Sequence, residues 1–136
     1  MDIIRRIAPL LALTALAASC AGTRDVDVTP TARMRLDAHV GKTFNSDSTR
    51  VDNIADTFTT SEAVLAVVDV TGEESGDVRA RWIAPNGSAV GETSTPIVAG
   101  TRTYAFRMAP GQPAGDYRLE VYANDRLEDT ERFKIQ

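Results

Sequence analysis

Apolar and polar residues alternate with a period of two along most of the chain from residue 33 to its end. Successive side chains of a β-strand point to opposite faces of a sheet, so this period predicts short strands with one buried face. No helical stripe of any length competes with it. The residues predicted to face the core are Met34, Leu36, Ala38, Val40, Val78, Ala80, Trp82, Tyr104, Phe106, Met108, Tyr117, Leu119, Val121, Ala123, Phe133 and Ile135.

Four stretches of the sequence predict a central strand, an edge strand and two loops. Glu62 to Val70 is apolar on both faces for part of its length, which predicts a central strand. Thr93 to Val98 is predicted to be an edge strand, because Pro96 has no N–H to donate to a second neighbour. Lys42 to Thr57 and Gly72 to Gly76 are predicted to be long loops.

Turn-forming residues separate the strands. The clearest breaks are Pro85-Asn86-Gly87-Ser88, Pro110 to Gly115, and Asn124-Asp125. Proline fixes φ, and glycine and asparagine tolerate positive φ, so these sequences favour tight reversals of the chain. The last break predicts a hairpin whose second strand contains Phe133 and Ile135. About seven short strands at this spacing predict an all-β protein that folds as an antiparallel β-sandwich.

The first 19 residues have a different composition, which is typical of an export signal. Arg5 and Arg6 precede a run from Ile7 to Ala18 that is almost entirely apolar or small. That run is shorter than the roughly 20 residues that a helix needs to span a membrane. We therefore predict a cleaved signal peptide at 1–19, a short tether at 20–32 and a β-sandwich at 33–136.

The end of this leader resembles the lipobox of bacterial lipoproteins. Leu16-Ala17-Ala18-Ser19-Cys20 places small residues before the obligatory cysteine, although the family prefers leucine where this chain has Ala17. The resemblance implies cleavage before Cys20, attachment of lipid to that cysteine, and a cell-envelope location with the membrane as partner. Ala21, in place of aspartate, implies the outer membrane in a Gram-negative cell. The alternative is an ordinary secretory signal, cleaved after Ser19 or Ala21, with Cys20 incidental.

Cysteine usage and charge narrow the possible partners. Cys20 is the only cysteine in the sequence, so it cannot form an internal disulfide, and acylation would remove an exported free thiol. Loss of residues 1–19, which contain Arg5, Arg6 and Asp2, leaves 117 residues with 13 basic and 18 acidic side chains, a net charge of about −5. This size suits one domain with one core. The acidic balance argues against nucleic acid as a partner.

The region from Arg33 to Gln136 resembles the immunoglobulin-like domains of bacterial envelope proteins. The run Pro113-Ala114-Gly115-Asp116-Tyr117-Arg118-Leu119-Glu120-Val121, followed by Phe133-Lys134-Ile135, is similar to the recurrent ending of such domains. The resemblance implies an immunoglobulin-like sandwich with Tyr117 near the start of strand F and Trp82 as the core tryptophan. The usual disulfide of that fold is absent. Such sandwiches host many unrelated functions, so the resemblance does not name an activity.

Residues that carry catalytic or metal chemistry are sparse. His39 is the only histidine, and Ser46 and Ser48 lack the sharp turn that surrounds a nucleophilic serine. One histidine and one cysteine do not supply the ligands of a zinc site. The acidic clusters Glu73 to Asp77 and Glu128 to Glu131 are predicted to be solvated turns and strand ends, with calcium binding as the alternative. We predict no enzyme activity and no cofactor.

Strand parity also separates core aromatic residues from one surface candidate. The aromatic residues with inward parity are Trp82, Tyr104, Phe106, Tyr117 and Phe133. Tyr122 has the opposite parity, and with Arg118 and Arg79 it forms a candidate binding patch. The sequence predicts a membrane-anchored, noncatalytic module that binds an envelope protein or glycan. The alternative is an accessory or inhibitor of an envelope hydrolase that acts through the loops Lys42 to Thr57 and Gly72 to Gly76.

Overall fold

The computed structural model describes residues 33–98 and 100–136, and these residues form nine β-strands in two sheets. The four-stranded sheet has the order β2-β1-β4-β7, and the five-stranded sheet has the order β3-β9-β8-β5-β6. The strands are β1 (Arg35–Asn45), β2 (Arg50–Ile54), β3 (Thr57–Phe58), β4 (Val64–Thr71), β5 (Asp77–Ile83), β6 (Ala89–Pro96), β7 (Thr103–Met108), β8 (Gly115–Ala123) and β9 (Arg126–Ile135). Neighbouring strands are antiparallel except for β3 and β9. The predicted antiparallel β-sandwich is confirmed.

No helix occurs in this part of the chain, and it therefore contains no helical segment long and apolar enough to cross a membrane. The predicted signal peptide at 1–19, the lipidated Cys20 and the tether at 20–32 lie outside the described residues.

The core lies between the inner faces of the two sheets. Every residue that the alternation assigned to the core is buried, and Phe58 of β3 joins them. Phe133 lies at the centre of an aromatic cluster, with its ring 5.6 Å from Phe58 and 5.9 Å from Trp82 in edge-to-face geometry. It stacks on Tyr117 at 5.7 Å. Both arrangements are favourable for aromatic quadrupoles, so this cluster ties β3, β5, β8 and β9 together.

The start of β8 is held by a buried tyrosine. The hydroxyl of Tyr117 donates a hydrogen bond of 2.7 Å to the carbonyl of Pro113, four residues upstream. A tyrosine near the start of strand F makes this kind of bond in immunoglobulin-like sandwiches. Gly115 has φ of +152°, and a Cβ at that position would overlap Pro85. The positive φ and the side chain of Pro85 therefore explain why glycine lies two residues before the tyrosine in this run.

The segment from Lys42 to Thr57 is not the long loop predicted from its polar composition. β1 continues to Asn45 and forms a hairpin with β2. The side-chain oxygen of Asn45 accepts hydrogen bonds from the backbone N–H groups of Asp47 and Ser48, which closes the turn. Val51 folds over Gly41, where a Cβ would overlap it. Backbone pairing builds this hairpin, so apolar alternation could not reveal it.

Three local predictions about strand position are tested by the sheet order. β4 lies between β1 and β7, which confirms the central strand. β6 is an edge strand as predicted, but it runs from Ala89 to Pro96 instead of Thr93 to Val98. Asn124 and Asp125 join β8 to β9 with φ of 48° and 64°, which confirms the predicted turn.

The acidic run from Glu128 to Glu131 is not a solvated turn, because it lies inside β9. A carboxylate oxygen of Asp129 accepts a 2.8 Å hydrogen bond from the backbone N–H of Ala38 on β1. Glu128 accepts 3.1 Å bonds from Arg33 and Arg126. These carboxylates satisfy polar groups where β1 of one sheet meets β9 of the other. Their role in the fold competes with metal binding.

Glu131 makes stability depend on pH in a direction opposite to most carboxylates. It lies opposite Leu119 on β9, where burial and then the charge of Asp129 raise its pKa. The folded chain holds this proton more tightly than the unfolded chain, so the contribution to stability is present at low pH and is lost as pH rises through the folded-state pKa. We expect Glu131→Gln to raise the melting temperature at about pH 7, with little gain below about pH 4.

Glu74 serves as a control, because its effect on the pH dependence of stability has the opposite sign to that of Glu131. Hydrogen bonds from Arg126, and then from Asn124, lower its pKa from 4.5 to about 2. Its contribution to stability is therefore present above the ordinary pKa of glutamate and is lost as pH falls from that value through the folded-state pKa of about 2. Glu74→Gln should lower the melting temperature at neutral pH. Thermal melts of both variants at neutral and acidic pH check the pair. A Glu131→Gln gain that persists at acidic pH would contradict the burial argument.

Candidate functional site

Five polar side chains form a continuous patch on the outer face of the five-stranded sheet. The register pairs Arg79 of β5 with Tyr122 of β8, and Arg81 with Glu120. Arg118 lies two residues before Glu120 on the same face of β8. We call Arg79, Arg81, Arg118, Glu120 and Tyr122 the outer patch. The sequence-predicted residues Tyr122, Arg118 and Arg79 are thus brought to one face.

A network of short contacts orders the outer patch. The guanidinium of Arg79 lies over the Tyr122 ring, 4.6 Å from its centroid. The Tyr122 hydroxyl donates a 2.7 Å bond to one carboxylate oxygen of Glu120, and Nε of Arg118 donates a 2.8 Å bond to the other. The Tyr122 hydroxyl, more than any other group, lowers the pKa of Glu120, and the same bond raises the pKa of Tyr122. Glu120 therefore holds both neighbours as a carboxylate.

Two arginines of the patch are turned toward acidic side chains at its rim. A terminal nitrogen of Arg79 lies 2.9 Å from Asp125, and Nε of Arg81 lies 3.4 Å from Glu92 without hydrogen-bond geometry. The Nε atoms of both arginines are buried, and neither has a hydrogen-bond partner among the residues that the structure describes. Buried donors are normally paired, so these two groups are the least satisfied polar atoms of the face.

The chemistry of the outer patch suits binding rather than catalysis. A general acid needs a carboxyl whose pKa is raised toward neutrality, whereas the pKa of Glu120 is lowered. Arginine and tyrosine are the residues most enriched at protein interfaces, because they combine flat contact area with directional donors. The ordered array on a rigid sheet therefore presents a prearranged surface to another molecule.

Parity alone would have found two of the residues that sequence reasoning missed. Arg81 and Glu120 alternate with core residues in the same way as Arg79 and Arg118, so they share the outer face. Tyr122 is not the one aromatic residue outside the core. Phe44 on the β1–β2 hairpin is 41% exposed, and its hairpin was not foreseen.

The other sequence candidates are not assembled into a site. His39 lies within β1, with Nε2 3.7 Å from Asp37 and 3.9 Å from Asp69. Ser46 and Ser48 follow the far end of β1, about 20 Å along the strand by its rise per residue. The described part of the chain contains no group of three or more histidine, cysteine, aspartate or glutamate side chains arranged to hold a metal ion.

A broad groove opens at the end of the sandwich where the described chain begins. Its volume is about 780 Å³, and its wall combines Val70, Ile97 and Val98 with Arg102 and Glu74. Glu74 lies in the predicted loop from Gly72 to Gly76, but its two oxygens are bound by both terminal nitrogens of Arg126 at 3.0 and 2.9 Å. Glu74 therefore fastens this acidic loop to β9.

Comparisons with known proteins identify the fold. No protein-family model matches the chain, and no curated protein matches it. An immunoglobulin-like protein from Pseudomonas aeruginosa superimposes with a TM-score of 0.56 at 18% identity, covering 79% of this chain and 99% of that one. A β-glucosidase from Listeria innocua gives a TM-score of 0.44 at 11% identity, and the match covers 16% of that enzyme. The predicted immunoglobulin-like β-sandwich is confirmed.

Proposed function

We propose that this chain is a noncatalytic binding module of the cell envelope, and that the outer patch binds another protein. The observation that carries the proposal is the Arg79 guanidinium stacked over Tyr122 at 4.6 Å, within an array that Glu120 holds in place. Such an array costs little entropy on binding, because its side chains are already ordered. The immunoglobulin-like fold supports a binding role by analogy only.

A protein partner fits the patch better than a glycan does. Sugar recognition uses the open face of an aromatic ring, whereas the Arg79 guanidinium covers a face of Tyr122. Besides Tyr122, the patch consists of three guanidinium ions, including that of Arg79, and one carboxylate, arranged across two neighbouring strands. Alternating charges of this kind match a folded surface of complementary charge and set its orientation.

The location is proposed from the leader. After loss of residues 1–19, lipid on Cys20 would hold the domain at a membrane, and Ala21 favours the outer membrane of a Gram-negative cell. Each buried CH₂ contributes about 0.8 kcal/mol, so several acyl chains make attachment lasting. Confinement to a surface raises the effective concentration of a weak binding site. The tether at 20–32 would set the reach of the outer patch from the membrane.

One observation favours the alternative role as an accessory or inhibitor of an envelope hydrolase. The β1–β2 hairpin exposes Phe44 and Ile54, at 41% and 72%. Exposed apolar side chains on a hairpin are the parts that an inhibitor inserts into an enzyme cleft. Phe44→Ser with Ile54→Ser should then abolish inhibition without loss of the fold, whereas changes in the outer patch should have no effect on it.

The experiment for the proposed function places a photo-crosslinking amino acid beside the patch without removing any of its members. Thr130 of β9 lies opposite Glu120 on the same face, and Ala105 of β7 lies on the outer face of the other sheet. In the native host, we expect one discrete protein adduct from position 130 and none from position 105. Arg79→Ala should weaken capture about 30-fold, as expected for loss of an interface hot spot.

Three crosslinking results would contradict the proposal. Adducts that are the same from positions 130 and 105, or that survive Arg79→Ala unchanged, would show that the outer patch is not the binding surface. Circular dichroism of Arg79→Ala serves as the folding control, because Arg79 points away from the core. Adducts that contain glycan and no protein would show that the partner is a glycan, which contradicts the proposal.

A further inference from the structure

β6 is a sheet edge with little of the usual protection against strand pairing. Among the described residues it pairs with β5 on one side only, and it extends over eight residues. Natural edges are commonly blocked by lysine, by internal proline, by a β-bulge or by a covering segment. The register of β6 shifts between Gly91 and Ala89, so the regular part of this edge runs from Gly91 to Pro96. β6 has no lysine or arginine, its single charge is Glu92, and its proline is the last residue. β7, the edge of the other sheet, carries the exposed Arg107 instead.

The direction of the β6 backbone groups follows from one hydrogen bond. The N–H of Ile97 donates to the carbonyl of Gly76 at 2.7 Å, so this pair bonds across β5 and β6. Bonded and unbonded pairs alternate along an antiparallel ladder. Thr95 and Thr93 therefore bond to β5, whereas Ser94 and Glu92 direct their N–H and C=O groups away from the sheet.

Pro96 is consistent with this assignment. Its backbone groups point away from β5, as those of Ser94 and Glu92 do, so its missing N–H costs no bond to β5. The edge thus offers two complete donor and acceptor sets at Glu92 and Ser94, followed by one carbonyl. An extended backbone can pair with such a row, as in the addition of a strand to a sheet edge.

We propose that β6 pairs with β6 of a second copy of this chain, antiparallel and across a two-fold axis at Thr93. In this register Glu92 lies opposite Ser94 of the second copy, and Ser94 lies opposite its Glu92. Each outward donor then meets an outward acceptor, as a symmetric interface requires. Thr93 faces Thr93 of the second copy in an unbonded pair, where two threonines are favourable neighbours. The two five-stranded sheets become one continuous sheet.

Charge and backbone chemistry exclude the neighbouring registers. A shift that centres the axis on Glu92 sets two carboxylates directly opposite each other, which is unfavourable. A shift that centres it on Ser94 sets Glu92 opposite Pro96, which returns no N–H. The register at Thr93 alone among these three avoids both losses. The pairing uses no residue of the outer patch, so its failure and the failure of the proposed function are distinguishable.

A register-specific disulfide tests the pairing in the full-length chain. In the proposed register the Cα atoms of the two Thr93 residues are about 4.5 Å apart. The two Thr95 residues are roughly 13 Å apart, because each lies opposite Gly91. A disulfide requires Cα atoms within roughly 7 Å, so Thr93→Cys should give about tenfold more covalent dimer than Thr95→Cys. Two differently tagged copies, expressed together and separated on non-reducing gels, identify the product as a homodimer.

A proline variant separates pairing from folding. Ser94→Pro removes an outward donor that β5 does not use, so the melting temperature should stay close to that of the parent. In the Thr93→Cys background it should abolish the covalent dimer. The proposal is overturned if Thr93→Cys yields no more dimer than the parent chain with Cys20 alone, if Thr95→Cys crosslinks equally well, or if Ser94→Pro leaves the dimer unchanged.

Discussion

Replacing Phe133 with alanine should lower the free energy of unfolding by about 3–5 kcal/mol, the range for removing a large buried aromatic side chain. Phe133 contacts Phe58, Trp82 and Tyr117, and each ring would lose its partner at once. The chain has one cysteine, Cys20, and so forms no internal disulfide, which leaves the stability of the fold to apolar packing of this kind. Urea unfolding followed by tryptophan fluorescence measures the loss.

Leu127→Ala is the matched control for that result. Leu127 lies on the same strand, but it is 52% exposed. Its truncation should change stability by less than about 0.5 kcal/mol, because it leaves no cavity. A loss of about 1 kcal/mol or less for Phe133→Ala would mean that the aromatic cluster relaxes to fill the space, and that another part of the core carries the stability.

Replacing Cys20 with alanine is expected to release the chain from the membrane completely. The parent chain should be cleaved before Cys20, should gain the mass of its acyl chains and should fractionate with membranes. The variant has no thiol to acylate, and a chain that has lost residues 1–19, with a net charge near −5, has no electrostatic attraction to an anionic membrane surface. Intact mass and membrane fractionation of both proteins in a bacterial host measure the effect.

Ala21→Asp separates attachment to a membrane from the choice between the inner and the outer membrane. It preserves the acylated cysteine, so the protein should remain membrane-bound, but the resemblance to Gram-negative lipoproteins implies retention at the inner membrane. A soluble parent chain that carries no lipid would refute the anchor and would make this a freely secreted domain. The outer patch and the β6 edge would then act without confinement to a surface.

Most of the core was predictable, because strand parity is a local property of the backbone. Met34, Leu119 and Phe133 each lie between polar neighbours. Because successive side chains of a strand alternate between its two faces, burial of one apolar residue fixes the face of the others in that strand. The turn at Asn124-Asp125 was predictable for a similar reason, since both residues adopt positive φ there. Pro96 likewise indicated an edge, because it lacks a donor.

The candidate site was predictable only in part. Parity placed Tyr122, Arg118 and Arg79 on outer faces, but it could not say that β5 and β8 are neighbours. Those strands lie about 40 residues apart along the chain, and their pairing depends on long-range backbone bonds. The stacking of Arg79 on Tyr122, and the bonds of both neighbours to Glu120, follow from that pairing and have no local signal.

The sequence by itself therefore determined the all-β class, the inward face of each main strand and the positions of the main turns, because φ, ψ preferences and side-chain alternation are set within a few residues. The tertiary structure decided the sheet order, the hairpin formed within Lys42 to Thr57 and the position of the acidic run from Glu128 to Glu131 inside β9. Polar residues enter a strand when a distant edge needs their backbone groups or carboxylates. That need is visible only after the two sheets are packed together.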